Sequence, residues 1–206
     1  MVEFKGPCGG FEYAPNSVEN LSLLSSGCGC APFIQLIRDV AHKKDDQTKV
    51  SLLHYSDSQS EIPYKQEMKT RAKSNRKFNL FYSVGNEAHT EDWKGGVGYI
   101  NSKVLSERLP SPDVKSHKIL VCGGPSMVCS VLQDLSDLGY SSENIFVYGQ
   151  FGTEQVRAIY GRNAVLSSHK LDANTAFPLK NKKKIPNQTL NGVKPSFNII
   201  AKQVYT

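Results

Sequence analysis

The chain has 206 residues, a formal net charge of +6 and an apolar content of 39%. That length fits one good-sized domain with an appendage, and no apolar run approaches the roughly 20 residues a membrane-spanning helix needs. Glu3, Lys5, Pro7 and Glu19 exclude a secretory signal from residues 1–20. Five cysteines, unevenly spaced, suit a reducing intracellular compartment better than a disulfide framework. Nine of the 25 basic residues but only two of the 19 acidic ones fall after residue 150, so a near-neutral body carries a basic tail.

In chain order, residues 2–5 and 11–13 read as short strands around the turn Gly6-Pro7-Cys8-Gly9-Gly10. Residues 20–26 (NLSLLSS) form a short apolar run expected as a buried strand. After the Gly27–Pro32 loop, residues 33–43 place Phe33, Ile34, Ile37 and Val40 on one helical face. Residues 48–55 predict a second strand, 62–75 a weaker helix and 77–83 a third strand. Asn101 caps a helix that runs to about Arg108 and is stopped by Pro110. A fourth strand over 117–122, a helix over Pro125–Leu138 and a fifth strand over 144–148 follow. This alternation predicts an α/β fold, a five-stranded parallel sheet with helices on both faces. Beyond it, 153–160 reads as a short helix, Lys180–Lys184 as an irregular basic run and 197–204 as a strand.

Ligands of such sheets bind at the carboxyl ends of the strands, where the strand order reverses. Two Gly-Pro segments lie at strand ends: Gly27-Cys28-Gly29-Cys30-Ala31-Pro32, and Cys122-Gly123-Gly124-Pro125. In the first, Gly27 and Gly29 permit positive φ and close approach of a ligand, and Pro32 suits a first helical turn whose free N–H groups face an anion. A plain tight strand-to-helix turn explains the same residues, and the spacing is not the G-x-G-x-x-G fingerprint. Cys28 and Cys30 lack the further ligands a zinc site requires and are too close in sequence for a low-strain disulfide. Small side chains packed under the loop account for them. Cys122 is either core or a sulfur facing a ligand, and Cys129 is expected in the core. Glu61 stands where a ribose-binding acid lies in doubly wound folds, or is a solvated loop acid. Trp93 with Gly95-Gly96-Val97-Gly98-Tyr99 is a turn or a pocket wall. His42, His54, His89, His117 and His169 have no partners at informative spacing, and no Ser/His/Asp arrangement stands out. The lysine run is a solvated surface, or a contact with membrane or nucleic acid.

Taken together, "VEFKGPCGGFEY", "SSGCGCAPFIQLIRDV", "LLHYSDSQSEI", "FNLFYSV", "GGVGYI" and "ILVCGGPSM" resemble, in order and spacing, the pyridine-nucleotide half of the NADH–cytochrome-b5 reductase family, within the ferredoxin–NADP reductase superfamily. The resemblance covers about residues 2–148. It implies that residues 1–15 are the end of a flavin-binding barrel, 16–150 an NAD(P)H-binding domain and 151–206 a basic, partly irregular extension. Gly27, Gly29 and Pro32 match the family's G-G-T-G-I-T-P loop, while Ser26, Cys28, Cys30 and Ala31 depart from it. Cofactor-binding roles are implied for Gly27, Cys28, Gly29, Ala31, Pro32, Glu61, Gly123, Pro125 and Met127. Cys122, the cysteine of a C-G-P-P-x-M motif with Gly124 in place of the first proline, is implied near the nicotinamide as the catalytic position. No metal is expected. The implied cofactors are NADH, or NADPH, and FAD. Most of the family's flavin-holding segments lie outside these 206 residues, so the chain alone is expected to be inactive. The implied activity is hydride transfer from NADH to FAD and electron transfer to a haem protein such as cytochrome b5, with no nucleic-acid partner. The basic tail suggests an anionic membrane surface, at the mitochondrion or endoplasmic reticulum. The rival expectation is a non-catalytic interaction protein that keeps the fold.

Overall fold

The computed structural model describes residues 10–85, 93–149 and 151–167. The expected elements at 2–5 and 197–204, and the residues Cys8, His89, His169 and Lys180–Lys184, lie outside them.

The elements, in chain order, are β1 (Asn20–Ser26), α1 (Ala31–His42), β2 (Lys49–Ser56), α2 (Lys65–Ser74), β3 (Phe78–Val84), β4 (Gly96–Val97), α3 (Ser102–Arg108), β5 (His117–Cys122), α4 (Pro125–Asp137), β6 (Ile145–Val147) and α5 (Gly152–Tyr160). One sheet runs β4-β3-β2-β1-β5-β6, with every neighbouring pair parallel. It therefore has six strands among the described residues, not five. The addition is β4, two residues long, whose Gly96 and Val97 pair with Ser83 and Val84. A pair of glycines before a valine carries no strand periodicity, so only the pairing reveals it. Of the expected strand at 11–13, a single bridge at Glu12 is present.

Parallel neighbours require crossovers, and the helices supply them on both faces. Alternation along each strand sorts the core into two layers. Leu21, Leu23, Val50, Leu52 and Leu120 meet Phe33, Ile34, Ile37 and Val40 of α1 and Met68 of α2. Leu24, Leu53, Ile119 and Val121 meet Leu105 of α3, Val128, Val131, Leu132 and Leu135 of α4, and Val156 of α5. α2 buries only Met68; its charged surface is secured by Glu67, which accepts hydrogen bonds from Arg38 Nε (2.9 Å) and Arg71 Nε (3.0 Å). Cys129, expected in the core, is exposed because it sits one position off the buried 128/131/132/135 stripe. α5 also belongs to the packed body, since a Cβ at Gly152 would overlap the carbonyl of Val147 and Ser142 Oγ donates to Val165 O at 2.7 Å.

Two buried histidines find partners through sheet register rather than sequence spacing. Ser25 pairs with His54, and its Oγ hydrogen-bonds His54 Nδ1 at 2.8 Å while Ser56 Oγ meets Nε2 at 2.9 Å. Ser22 Oγ hydrogen-bonds His117 Nε2 at 2.8 Å. Burial lowers both histidines to about 4. Because each folded pKa lies below its unfolded value near 6.5, the unfolded chain binds more protons as the pH falls. The stability each contributes is present above about pH 6.5 and is lost between there and about pH 4. Denaturant melts from pH 7.5 down to 4.5 are therefore expected to lose stability on the order of 3 kcal/mol per histidine. His117→Gln should flatten that slope, and an unchanged slope would remove His117 as its source.

Candidate functional site

The strand order reverses between β1 and β5, since the chain builds outward from β1 to β4 and then returns to the other side of β1. Both Gly-Pro segments open at this point. The turn after β1 is a single 3-10 turn, Gly27–Cys30, leading directly into α1 with Pro32 in its first turn. The turn after β5 leads into α4, with Gly124 at the N-cap and Pro125 opening the helix.

The two turns touch backbone to backbone. A Cβ at Gly29 would overlap the carbonyl of Cys122 and lie 2.9 Å from Gly123 Cα. A Cβ at Gly123 would overlap Ser26 Oγ and lie 3.1 Å from Met127 Sδ. Gly124 N–H donates to Ser26 Oγ at 3.4 Å. Gly29 is thus required by the neighbouring strand end, and it does not adopt positive φ. Only Gly27 does, at +50°, with open space around its Cβ position. Gly27, Cys28 and Ala31 are exposed and Pro32 is half-buried; Cys30 packs under the loop as expected, but Cys28 does not, because it sits on the outer side of the 3-10 turn.

Neither helix N-terminus at this crevice is capped by a side chain, and neither carries an acid in its first turn. The α1 terminus runs on from the 3-10 turn, with Ala31 N–H donating to Cys28 O, and both helices begin at the two touching turns, where their positive dipole ends suit an anion. Cys122, half-buried, sits on the α1 face of the sheet beside the cluster containing Cys30. Burial, with Cys28 and Cys30 nearby, pushes its thiol up to about 12, so it stays protonated at neutral pH. It offers a neutral sulfur rather than a nucleophilic thiolate. Met127 is half-buried beneath Gly123, and Pro125 is exposed.

Glu61 is exposed, in the turn after β2, next to Ile62, which is 5% exposed and anchors the turn in the core. Ser58 Oγ and Ser60 Oγ, 2.8 Å apart, and Lys65 Nζ, 3.4 Å from Gln59 O, brace the same turn. Lys65 also lies over the Trp93 ring, 5.7 Å from its centroid. At the very end of β2, Asp57 accepts from Tyr55 OH at 3.0 Å, and the Tyr55 ring stacks on Tyr99 at 4.6 Å. The sequence marks Ser26 only as a departure from the family loop and Tyr99 only as a turn or pocket wall, and it does not mark Asp57 or the Tyr55–Tyr99 stack. The available signal was positional: Asp57 is the first residue beyond a strand ending at Ser56.

Residues 23–133, more than half of the chain, match the family "Oxidoreductase NAD-binding domain", and the chain belongs to that family. Among curated relatives, it is 33% identical over 144 residues to NADH-cytochrome b5 reductase 1 of Laccaria bicolor, covering 69% of this chain and 46% of that protein. It is 34% identical over 146 residues to NADH-cytochrome b5 reductase 1 of Cryptococcus neoformans var. neoformans, covering 68% of this chain and 49% of that protein. The chain spans about half the length of the curated relatives it matches. Its fold is shared with the cytochrome b5 reductase domain of Ulva prolifera nitrate reductase, at TM-score 0.65 and 22% identity over 70% of this chain and 59% of that chain. The CS-b5R domains of human Ncb5or follow at TM-score 0.57 and 20% identity, over 65% of this chain and 37% of that chain.

The glycines of the first turn differ in physical role, and substitution separates them. Gly29→Ala should cost about 1–3 kcal/mol by forcing the two turns apart. Gly27→Ala should cost about 1 kcal/mol from backbone conformation alone. Gly124→Ala, with φ −62° and open space at its Cβ position, should be close to neutral. Guanidinium melts of the three variants check the order; equal losses at Gly29 and Gly124 would contradict the close backbone contact.

Proposed function

We propose that this chain is the NAD(P)H-binding part of a flavin-dependent reductase of the cytochrome-b5 reductase type. Residues 16–150 are the nucleotide-binding unit, residues 1–15 the end of the flavin barrel, and residues 151–206 an appended extension. The observation that carries the reading is the meeting of two uncapped, acid-free helix N-termini where the strand order reverses. The pyrophosphate lies over Gly27, Cys28, Gly29, Ala31 and Pro32, and its charge is met by the α1 and α4 termini. Gly123, Pro125 and Met127 shape the opposite wall. Cys122 lies beside the nicotinamide, where a neutral thiol positions the ring without reacting with it. Glu61 accepts from the adenosine ribose and repels a 2′-phosphate, which favours NADH.

On the Cys122 side, Tyr148 packs edge-on against Phe33 (5.6 Å) and Phe146 (5.0 Å), and Phe11 lies 5.3 Å from Phe146. Phe33 and Phe146 are buried in the core, so the half-buried Tyr148 and Phe11 are the rings left to meet a planar ring system. FAD bound there would supply conversion of a two-electron hydride into single electrons for a haem acceptor. The lysine run Lys180–Lys184 is the proposed contact with an anionic membrane surface.

Calorimetric titration of the chain with NADH and NADPH tests this reading. NADH is expected to bind more tightly, and Glu61→Arg to narrow the preference by about tenfold, the equivalent of roughly 1.4 kcal/mol. No binding of either nucleotide up to about 1 mM, the top of the usual affinity range, would overturn it.

A further inference from the structure

We propose that Cys28 and Cys122 form a modification site, a thiol pair that a hydroperoxide converts into a disulfide bridging the two glycine turns. Cys122 is the register partner of Ser25, three residues before Cys28. The turn then folds back over the neighbouring strand end, so that Gly29, adjacent to Cys28, is in backbone contact with Cys122. One residue from that contact, Cys28 is held near enough to Cys122 for the proposed bridge, whose Cα atoms would have to come within about 7 Å. Strand alternation puts Cys122 on the α1 face, with Leu120, the face on which the turn lies. Cys28 is exposed and Cys122 half-buried, whereas Cys30 is 3% exposed. Cys30 is also a poor partner for Cys28, with one residue between them. Both Cys28 and Cys30 are close enough to Cys122 to act electrostatically on its thiol, Cys28 more strongly.

The chemistry balances in two steps. The exposed Cys28 sulfur attacks the peroxide, breaking the O–O bond, to give Cys28 sulfenic acid and an alcohol, or water from hydrogen peroxide. The Cys122 sulfur then attacks the Cys28 sulfur, the S–S bond forms, and the hydroxyl departs with the Cys122 proton as water. Burial keeps Cys122 protonated, which slows this second step. The product staples the crevice floor over the position proposed for the pyrophosphate. That consequence rests on the nucleotide reading above; the bridge itself does not.

The test uses the reduced 206-residue chain, treated with hydrogen peroxide, blocked with N-ethylmaleimide, digested without reductant and mapped by mass spectrometry. The expected product is a peptide pair joining Cys28 to Cys122, separated by dithiothreitol. It should appear in the unmodified sequence and in Cys30→Ser, and be absent from Cys28→Ser, Cys122→Ser and Cys122→Ala. Over-oxidised Cys28 with no bridge, or Cys28 joined to any other cysteine, would overturn the pair. Where the reduced chain binds NADH, the bridged form should bind at least about tenfold more weakly; equal affinity would overturn the blockade. If the reduced chain binds no NADH, the nucleotide reading fails while the peptide map still decides the bridge.

Discussion

The backbone contact between the turn after β1 and the turn after β5 is the constraint on which the rest of the site depends. Parallel strands lie about 4.8 Å apart, and connections leaving the reversal point on opposite faces would ordinarily diverge. Here Gly29 rests on the Cys122 carbonyl and Gly123 on Ser26, so the floor of the crevice is closed by main chain. At Gly29 no other residue type fits without moving one turn away from the other, while a side chain at Gly123 would displace the Ser26 hydroxyl. Because α1 and α4 start directly from these turns, the same contact fixes the separation of their N-termini. The electrostatic character of the site therefore follows from a steric fact about two glycines.

The other helices show that the bare termini are particular to the crevice. α2 carries Glu67 in its first turn, α5 carries Glu154, and α3 is capped by Asn101, whose side chain accepts from Val104 N–H at 3.1 Å. Among the described α-helices, only α1 and α4 have neither a side-chain cap nor a first-turn acid. An uncapped terminus leaves orphan N–H donors and costs stability. Two such termini, held next to each other by the glycine contact, are what the proposed pyrophosphate site rests on.

Much of this was legible in the chain because period and punctuation agree. β1 and β5 stand where their apolar runs end at glycine, and the α1 face of Phe33, Ile34, Ile37 and Val40 is the one the spacing marks. What escaped depends on relations between strands. His54 finds Ser25 only through the β1–β2 register, and Gly29 owes its lack of a side chain to a residue more than ninety positions away. β4 is too short for any period to show. Cys129 is a different case. Its exposure follows from the α4 stripe itself, and a residue one step from Val128 should have been assigned to the solvent face.

The buried polar groups extend the same logic beneath the crevice. Gly29 ties the end of β1 to β5, and the Ser25–His54–Ser56 chain ties it to β2 on the other side. While neutral, the imidazole meets both hydroxyls with one ring nitrogen donating and the other accepting. Protonation would make both nitrogens donors and place a charge beside the Tyr82 ring, 6.0 Å away, whose hydroxyl has no hydrogen-bond partner among the described residues. Desolvation opposes that charge, which is why the histidine stays neutral through the physiological range. The end of β1 is therefore held from two directions by unlike means, main-chain contact toward β5 and a neutral hydrogen-bond chain toward β2. Acid acts on the second and leaves the first in place, and the Ser22–His117 bond between β1 and β5 loses its stabilisation over the same pH range.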